Sequence, residues 1–289
     1  MKSSFVIVGC GKVGTAMGRN FINAGYRLIG LSCNTQESAQ KAANILSTDN
    51  FTKASWEITK GVNIVFITTP DGVISNACNE IAQKNGFDNN TVIFHCSGAL
   101  PSTILFSAKA CGASIGSMHP LQSFAVGCSD ATFKNVIVTI EGEKDAVNAA
   151  KQITEDLGST CLTIKTEAKT LYHASAVVAS NYLVTLQDFA LKLIKKAGIS
   201  GDDAFKVLSP LIKGTLSNIK NVGTIKALTG PIARGDIETI TKHLDEIGEK
   251  TPNLLLLYKI LAQYTVDIAL AGGTIFDSKA NELKKVISL

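Results

Sequence analysis

The stretch that most constrains this chain is FVIVGCGKVGTAMG, residues 5–18, an apolar run followed at once by glycines at 9, 11 and 14. The run Phe5 to Val8 reads as a buried strand. In the fingerprint such a run opens, the first glycine makes a tight turn, the second lets a pyrophosphate approach the backbone, and the third lets the next helix settle on the sheet. That helix then offers free N–H groups and the positive end of its dipole, an anion site that needs no side-chain charge. Glycine-rich turns are common. The strand before the motif and the helix Thr15 to Ala24 after it are what mark Gly9, Cys10, Gly11, Lys12, Val13 and Gly14 as dinucleotide-binding.

At 289 residues the chain exceeds one average domain. Lys and Arg number 28 against 24 Asp and Glu, a formal charge of +4 with no basic run, and the sequence pI is about 8.6. This balance suits an anionic small molecule and argues against nucleic acid, which calls for a concentrated basic face. Seven cysteines, at 10, 33, 78, 96, 111, 128 and 161, form no CxxC pair and no Cys/His cluster at zinc spacing. They are expected as small core residues in a reducing compartment, with no metal site. Met-Lys-Ser-Ser leads directly into the first strand, so no signal peptide and a cytoplasmic location are expected.

The first half alternates short β-branched runs with amphipathic segments, the pattern of an α/β domain with a mostly parallel sheet. Strands are expected at 26–31, 62–68, 91–94, 113–117, 136–140 and 160–165, with a helix at 144–157. After Lys165 strand patterns stop and helical periodicity takes over. The expected organisation is therefore a Rossmann-type domain over 1–165 and an all-α domain over 166–289. Its helices are predicted at 167–197, 201–221 with Pro210 kinking or dividing it, 236–250, 251–271 and 276–287. The helix 251–271 looks membrane-like, but Lys259, Gln263 and Asp267 draw a polar stripe that is costly in lipid, so burial in the domain or against a second subunit is expected instead.

Ligands of open α/β sheets sit beyond the carboxyl ends of the strands. A carboxylate ending the second strand would select NAD, but Ser32, Cys33, Asn34 and Thr35 stand there. Ser32 and Asn34, with Lys12 and Lys41 near, favour NADP, although both lysines read equally well as solvated surface residues. Thr68, Thr69, Pro70, Ser97 and Gly98 are candidates for the cofactor's ribose and nicotinamide, or ordinary turn chemistry. His95 lies inside an apolar run and reads as a core histidine. His119, held extended by Pro120 after a strand, reads as site-lining.

Two constellations in the second half could carry chemistry. On the first long helix, His173, Ser180 and Asn181 fall near one side, seven and eight residues being close to two turns, amid small apolar neighbours. Polar groups on such a face are hydrogen-bonded in the core or aimed at a ligand. In LTGPIARGD a rigid turn precedes a helix that Asp236 can cap. Arg234 there could grip a carboxylate bidentately, or be a surface arginine in a turn.

Together VGCGKVG, HCSGAL, SMHPLQSF, YHASAVVASNYLVTL and LTGPIARGD resemble the bacterial family that joins a Rossmann-like domain to a C-terminal helical domain first classed as of unknown function. That family is similar in plan to pyrroline-5-carboxylate and ketopantoate reductases, and its PanG-type members serve as an alternative ketopantoate reductase. The resemblance implies NADP-dependent reduction of ketopantoate to pantoate in pantothenate synthesis. Relatives commonly carry arginine after the second strand, where this chain has Asn34. Ketopantoate reductases carry a lysine and two asparagines on the first helix of the second domain. A comparable spacing here gives His173, Val177 and Asn181, so the lysine's role passes to His173 or another group.

Hydride addition to a ketone creates an alkoxide that needs a proton donor and stabilising hydrogen bonds. The expected catalytic set is His173 as acid, His119 as the second choice and Asn181 polarising the carbonyl, with Ser180 and Arg234 on the substrate. Alternatives are another imine or hydroxy-acid oxidoreductase, or a non-catalytic NADP sensor. A keto-acid substrate and a homodimer formed mainly beyond residue 165 are expected, with no nucleic-acid or membrane partner.

Overall fold

The computed structural model describes residues 2–123, 132–199, 201 and 203–288. Phe124 of the SMHPLQSF segment and Cys128 lie outside the described residues. The chain forms two compact units, Met1–Asn181 and Tyr182–Leu289.

The first unit is built on eight described strands: β1 Ser4–Val8, β2 Arg27–Ser32, β3 Phe51–Thr52, β4 Ile64–Ile67, β5 Val92–His95, β6 Ser114–Pro120, β7 Ile137–Gly142 and β8 Thr160–Thr163. Their order across the sheet is β3-β2-β1-β4-β5-β6-β7-β8. All neighbours are parallel except β6 and β7. Between strands in the chain come α1 Lys12–Asn23, α2 Gln36–Leu46, α3 Trp56–Thr59, α4 Asp71–Gln83, α5 Phe106–Ala110 and α6 Lys144–Asp156.

Side chains alternate along a strand, and the two sets are buried separately. Phe5 and Ile7 of β1 join Phe66, Phe94, Met17 and Phe21 in one core, while Val6 and Val8 join Val65, Ile67, Ile93 and Ile74 in another. Both faces of the sheet are therefore covered, which is why these strands read as unbroken apolar runs. Aromatic rings knit the first core: Phe21 meets Phe66 edge-on at 4.9 Å between centroids, and Phe66 stacks on Phe94 at 5.4 Å. The chain passes from β1 to β2 and β3 on one side, then crosses to β4 on the other. The crevice at the carboxyl ends of β1 and β4 is thus the topological switch point, where ligands of such sheets sit.

The strand expected over 113–117 runs on to Pro120, so His119 lies within β6, paired with Thr139 of β7, rather than beyond a strand end. Proline is tolerated because it closes the strand. The boundary expected near 165 falls just after β8, and the compact units divide further on, within α7 Lys169–Lys196.

The second unit holds α8 Asp203–Ala227, α9 Ile237–Lys250, α10 Pro252–Ala271 and α11 Asp277–Ile287. Ile240, Val266, Leu283 and Ile287 centre a small core. Asp236 caps α9, accepting from the Thr239 N–H at 3.0 Å. Pro210 does not interrupt α8; the break in helical geometry is at Gly223, with φ of 78°, a value that glycine accepts without a Cβ penalty. Among the described residues, α10 is the one helix long and apolar enough to cross a membrane. Two residues of its polar stripe are satisfied from the C-terminal segment: Lys259 Nζ donates to the Ser288 carbonyl at 2.7 Å, and Asp267 pairs with Lys284 at 2.6 Å.

Candidate functional site

The turn after β1 has the geometry its glycines imply. Gly9 has φ of +86°, and a Cβ there would lie 2.5 Å from Thr69 Cγ2. At Gly14 a Cβ would fall 2.5 Å from Thr68 Oγ1 and 3.0 Å from the Gly9 carbonyl, so the helix could not approach the sheet as it does. A Cβ on Gly11 would meet open space, because this residue faces the cleft. The helix α1 begins at Lys12, three residues before the expected start, without a side-chain cap on its first N–H groups, which leaves those donors for an anion.

A cleft of about 920 Å³ runs along this turn, within the range of small-molecule sites. Gly9, Cys10, Gly11, Lys12 and Val13 line it, with Asn34 and Lys41 on one side and Thr68, Thr69, Pro70, Asp71 and Ser97 on the other. Thr68 Oγ1 donates to the Gly9 carbonyl at 2.7 Å and so braces the turn. Burial pushes the Cys10 thiol up to about 12, leaving it protonated and poorly nucleophilic. Lys41 is exposed and paired with Glu37 at 2.8 Å. Ser32 departs from expectation: its side chain is buried and its hydroxyl bonds Ser55 at 2.8 Å. Its contribution to the site is its carbonyl, which accepts from the Gly9 N–H at 2.8 Å.

Ser97 connects this cleft to a second cluster. Gly98 does not line the cleft; it seats two imidazoles, since a Cβ there would lie 2.6 Å from His173 Cδ2 and 2.9 Å from His119 Nε2. The two histidine rings are 6.3 Å apart between centroids. His119 Nδ1 bonds the Tyr172 hydroxyl at 2.9 Å, and Thr139 Oγ1 donates to that hydroxyl at 2.6 Å. Below them Lys169, the first residue of α7, is 2% exposed. Its ammonium donates to the Ser97 carbonyl at 2.8 Å and to the Ser117 hydroxyl, and stands 3.8 Å from Glu141. Glu141 is itself buried, accepting from the Ser102 N–H at 2.7 Å, the Ser102 hydroxyl at 2.8 Å and the Thr166 hydroxyl at 2.9 Å. A buried charge persists only when paired and hydrogen-bonded in this way.

Burial, with Lys169 and then His173 adding to it, lowers His119 to about 4 against a smaller opposing pull from Asp71. At neutral pH His119 is therefore an uncharged imidazole. Burial likewise lowers Lys169 to about 8, with Glu141 opposing. His95 is buried as expected, its Nδ1 accepting from the Ser97 N–H at 3.1 Å. Asp71 accepts from the Ser97 hydroxyl at 2.8 Å and so ties α4 to this corner.

His119 and His173 are thus brought together, whereas Ser180 and Asn181 are exposed on α7, roughly 10–12 Å further along the helix axis than His173 at ~1.5 Å per residue. Arg234 is exposed in the second unit, in the short turn Ile232–Arg234. Sequence reasoning missed Lys169, Tyr172, Thr139, Glu141 and Asp71. A signal for Lys169 was present: counted one turn earlier, the four-residue spacing starts on a lysine and reads Lys169, His173 and Val177.

Residues 1–120 match the model of a Rossmann-like domain, and residues 136–265 match that of a domain of unknown function, DUF2520. The chain is accordingly a Rossmann-like protein with a DUF2520 domain, the two-domain class its motifs resemble. No curated protein sequence matches it. Among solved structures, a Bacteroides fragilis protein described as a proposed NADP oxidoreductase shares the fold with a TM-score of 0.78 at 22% identity, over 92% of this chain and 98% of that one. A Thermotoga maritima protein follows at 0.69 and 24%, over 92% and 98%. Plasmodium falciparum pyrroline carboxylate reductase, with NADP bound, has a TM-score of 0.61 at 14% identity over 99% of both chains.

Proposed function

We propose that the protein is an NADP-dependent reductase that converts ketopantoate to pantoate. The observation that carries this reading is the placement of two imidazoles on Gly98, joined through Ser97 to the glycine-turn cleft. The cleft residues suit a dinucleotide. Gly11 leaves room for a pyrophosphate at the open end of α1, and Thr69 Oγ1 is a buried hydroxyl without a partner in the cleft wall. Gly9 to Gly14 would hold the pyrophosphate, and Thr68, Thr69 and Pro70 the nicotinamide half. Asn34 and Lys41 would hold the 2′-phosphate, there being no carboxylate at the end of β2 to repel it. NADPH, when bound, supplies the hydride.

The chain's own groups manage the charge that hydride addition places on the keto oxygen. His119, uncharged, donates a hydrogen bond to that oxygen and polarises the carbonyl without transferring its proton. His173 delivers the proton, a task suited to histidine near neutral pH. Asn181 and Ser180, on the same helix as His173, are assigned to the substrate's hydroxyl and carboxylate. The ketopantoate assignment is supported by the motif resemblance. Cyclic imines are the second choice, supported by a fold shared with pyrroline carboxylate reductase and with an imine reductase from Myxococcus stipitatus at TM-scores of 0.61 and 0.63. An NADPH-oxidation assay over a panel of keto acids and imines tests the reading. Ketopantoate is expected to give the highest kcat/KM; turnover of an imine alone would move the assignment to that class, and no turnover of any would leave an NADP sensor. In calorimetric titration NADPH is expected to bind more tightly than NADH, and equal affinities would remove the argument from Asn34 and Lys41.

We also propose that two copies associate through the second unit. The support is that apolar side chains of this unit stand in water, Leu211, Val222 and Ile225 of α8 and Tyr264 of α10 among them, and large exposed apolar patches mark interfaces.

A further inference from the structure

On the reductase reading, on which this inference rests, His119 donates a hydrogen bond to the substrate, and that depends on which ring nitrogen carries its proton. Thr139 and Tyr172 decide this. The Thr139 hydroxyl is buried, and the bond it makes is to the Tyr172 oxygen, as donor, at 2.6 Å. Were Thr139 to accept from Tyr172 instead, its own proton would be left in the interior without a partner, at the cost of an unmade hydrogen bond. Having received one proton, the phenol directs its own along the remaining contact, to His119 Nδ1 at 2.9 Å. The ring edge there meets it with a lone pair. The other nitrogen, Nε2, must then hold the hydrogen; with Cε1 it forms the edge of the ring on the Gly98 side.

We propose that Thr139 and Tyr172 act as a positioning pair that fixes His119 as the Nε2–H tautomer, presenting a neutral donor to the substrate's keto oxygen and leaving proton delivery to His173. The charged and titratable groups around the ring favour the same state. Lys169 and His173 of α7 disfavour a second proton on His119, and Asp71 at the start of α4 opposes them more weakly. His95 of β5 is coupled to the same ring and is itself held neutral, burial lowering it to about 3. Burial raises Tyr172 above its ordinary value, so the phenol stays protonated and able to donate. Glu141 of β7 is turned to Lys169, Ser102 and Thr166. Hydrogen bonding to the neutral ring is a further reason for His119 to stay unprotonated. Because folding depresses this histidine, its contribution to stability is present above the ordinary value of about 6.5 and is lost as the pH falls towards about 4.

The test is nitrogen-15 NMR of the histidine rings in the full-length protein, with Tyr172→Phe and Thr139→Val as variants that keep the side-chain shape. In the wild type, His119 is expected to show a proton-bearing Nε2, a bare Nδ1 and titration near the acidic value. In Tyr172→Phe the tautomers are expected to mix and the titration midpoint to rise. A wild-type ring protonated at Nδ1, or a tautomer and midpoint unmoved by Tyr172→Phe, would overturn the proposal. This readout needs no turnover, so it survives failure of the ketopantoate assignment. With an active substrate, Tyr172→Phe is expected to lower kcat by about tenfold, the worth of one hydrogen bond, and to move the acidic limb of the pH profile upwards. The double variant is expected to be no worse than Tyr172→Phe alone, because both changes cut one chain. Fully multiplying losses would mean that the two residues act structurally and separately.

Discussion

In the first unit Phe5, Phe66 and Phe94 have no accessible surface, while in the second Leu211, Tyr264 and Phe276 are 69%, 69% and 82% exposed. The difference follows from architecture. A sheet covered on both faces hides alternate residues in two cores at once, so β1 and β4 bury every apolar side chain they carry, while Ile137 and Leu162 towards the β8 edge stay exposed. A helix hides one stripe, and α8 has nothing comparable to lie against: Ala204 is its one buried residue among those described. A cleft gains from a rigid, self-sufficient scaffold, since groups held to fractions of an ångström are what a reaction needs. Helices with apolar faces turned outward have a different use, which in the proposed association is to meet a second copy.

Stability measurements can break this contrast. Phe94→Ala removes a fully buried ring from the sheet core and is expected to cost ~3–5 kcal/mol in urea unfolding. Leu211→Ala is the informative companion. As an exposed residue of a lone chain it should change stability by no more than ~0.5 kcal/mol; in an associated pair it should cost about 2 kcal/mol or more, with a midpoint that depends on protein concentration. Light scattering sharpens the same point. The wild type is expected at twice 30.5 kDa at micromolar concentration, and Leu211→Glu at the mass of one chain; a wild type that is monomeric would refute the association. The smallest effect belongs to Asp236→Ala, which removes the cap of α9 and is expected to cost ~1 kcal/mol. Its destabilisation should be confined to the second unit.

The sequence was legible wherever local rules act alone. Period-two apolar runs and the glycine spacing place β1, the turn and α1, and Asp236 announces its cap by type and position. It misled where a neighbour overrides the local rule. His119-Pro120 reads as the end of a strand, yet β7 pairs alongside and carries β6 through both residues. Pro210 reads as a break, yet α8 absorbs it and yields at Gly223. Ser32 ends a strand at the right place for a ribose contact but turns to Ser55. Least legible was the polar cluster beneath the histidines. Lys169 is buried because Glu141, Ser97 and Ser117 meet it from three different strands or strand ends, and no spacing within one segment encodes such a meeting.

The proposed reaction makes His173, packed with His119 on Gly98 beside the nucleotide cleft, the proton donor. Its most direct test is steady-state NADPH oxidation with ketopantoate by His173→Gln, with NADPH affinity measured on the same sample. The expected result is an unchanged Kd and a kcat lowered by roughly 10²–10⁴-fold, the usual loss of general-acid assistance. Near-full turnover by His173→Gln, with NADPH bound as tightly as by the wild type, would contradict it.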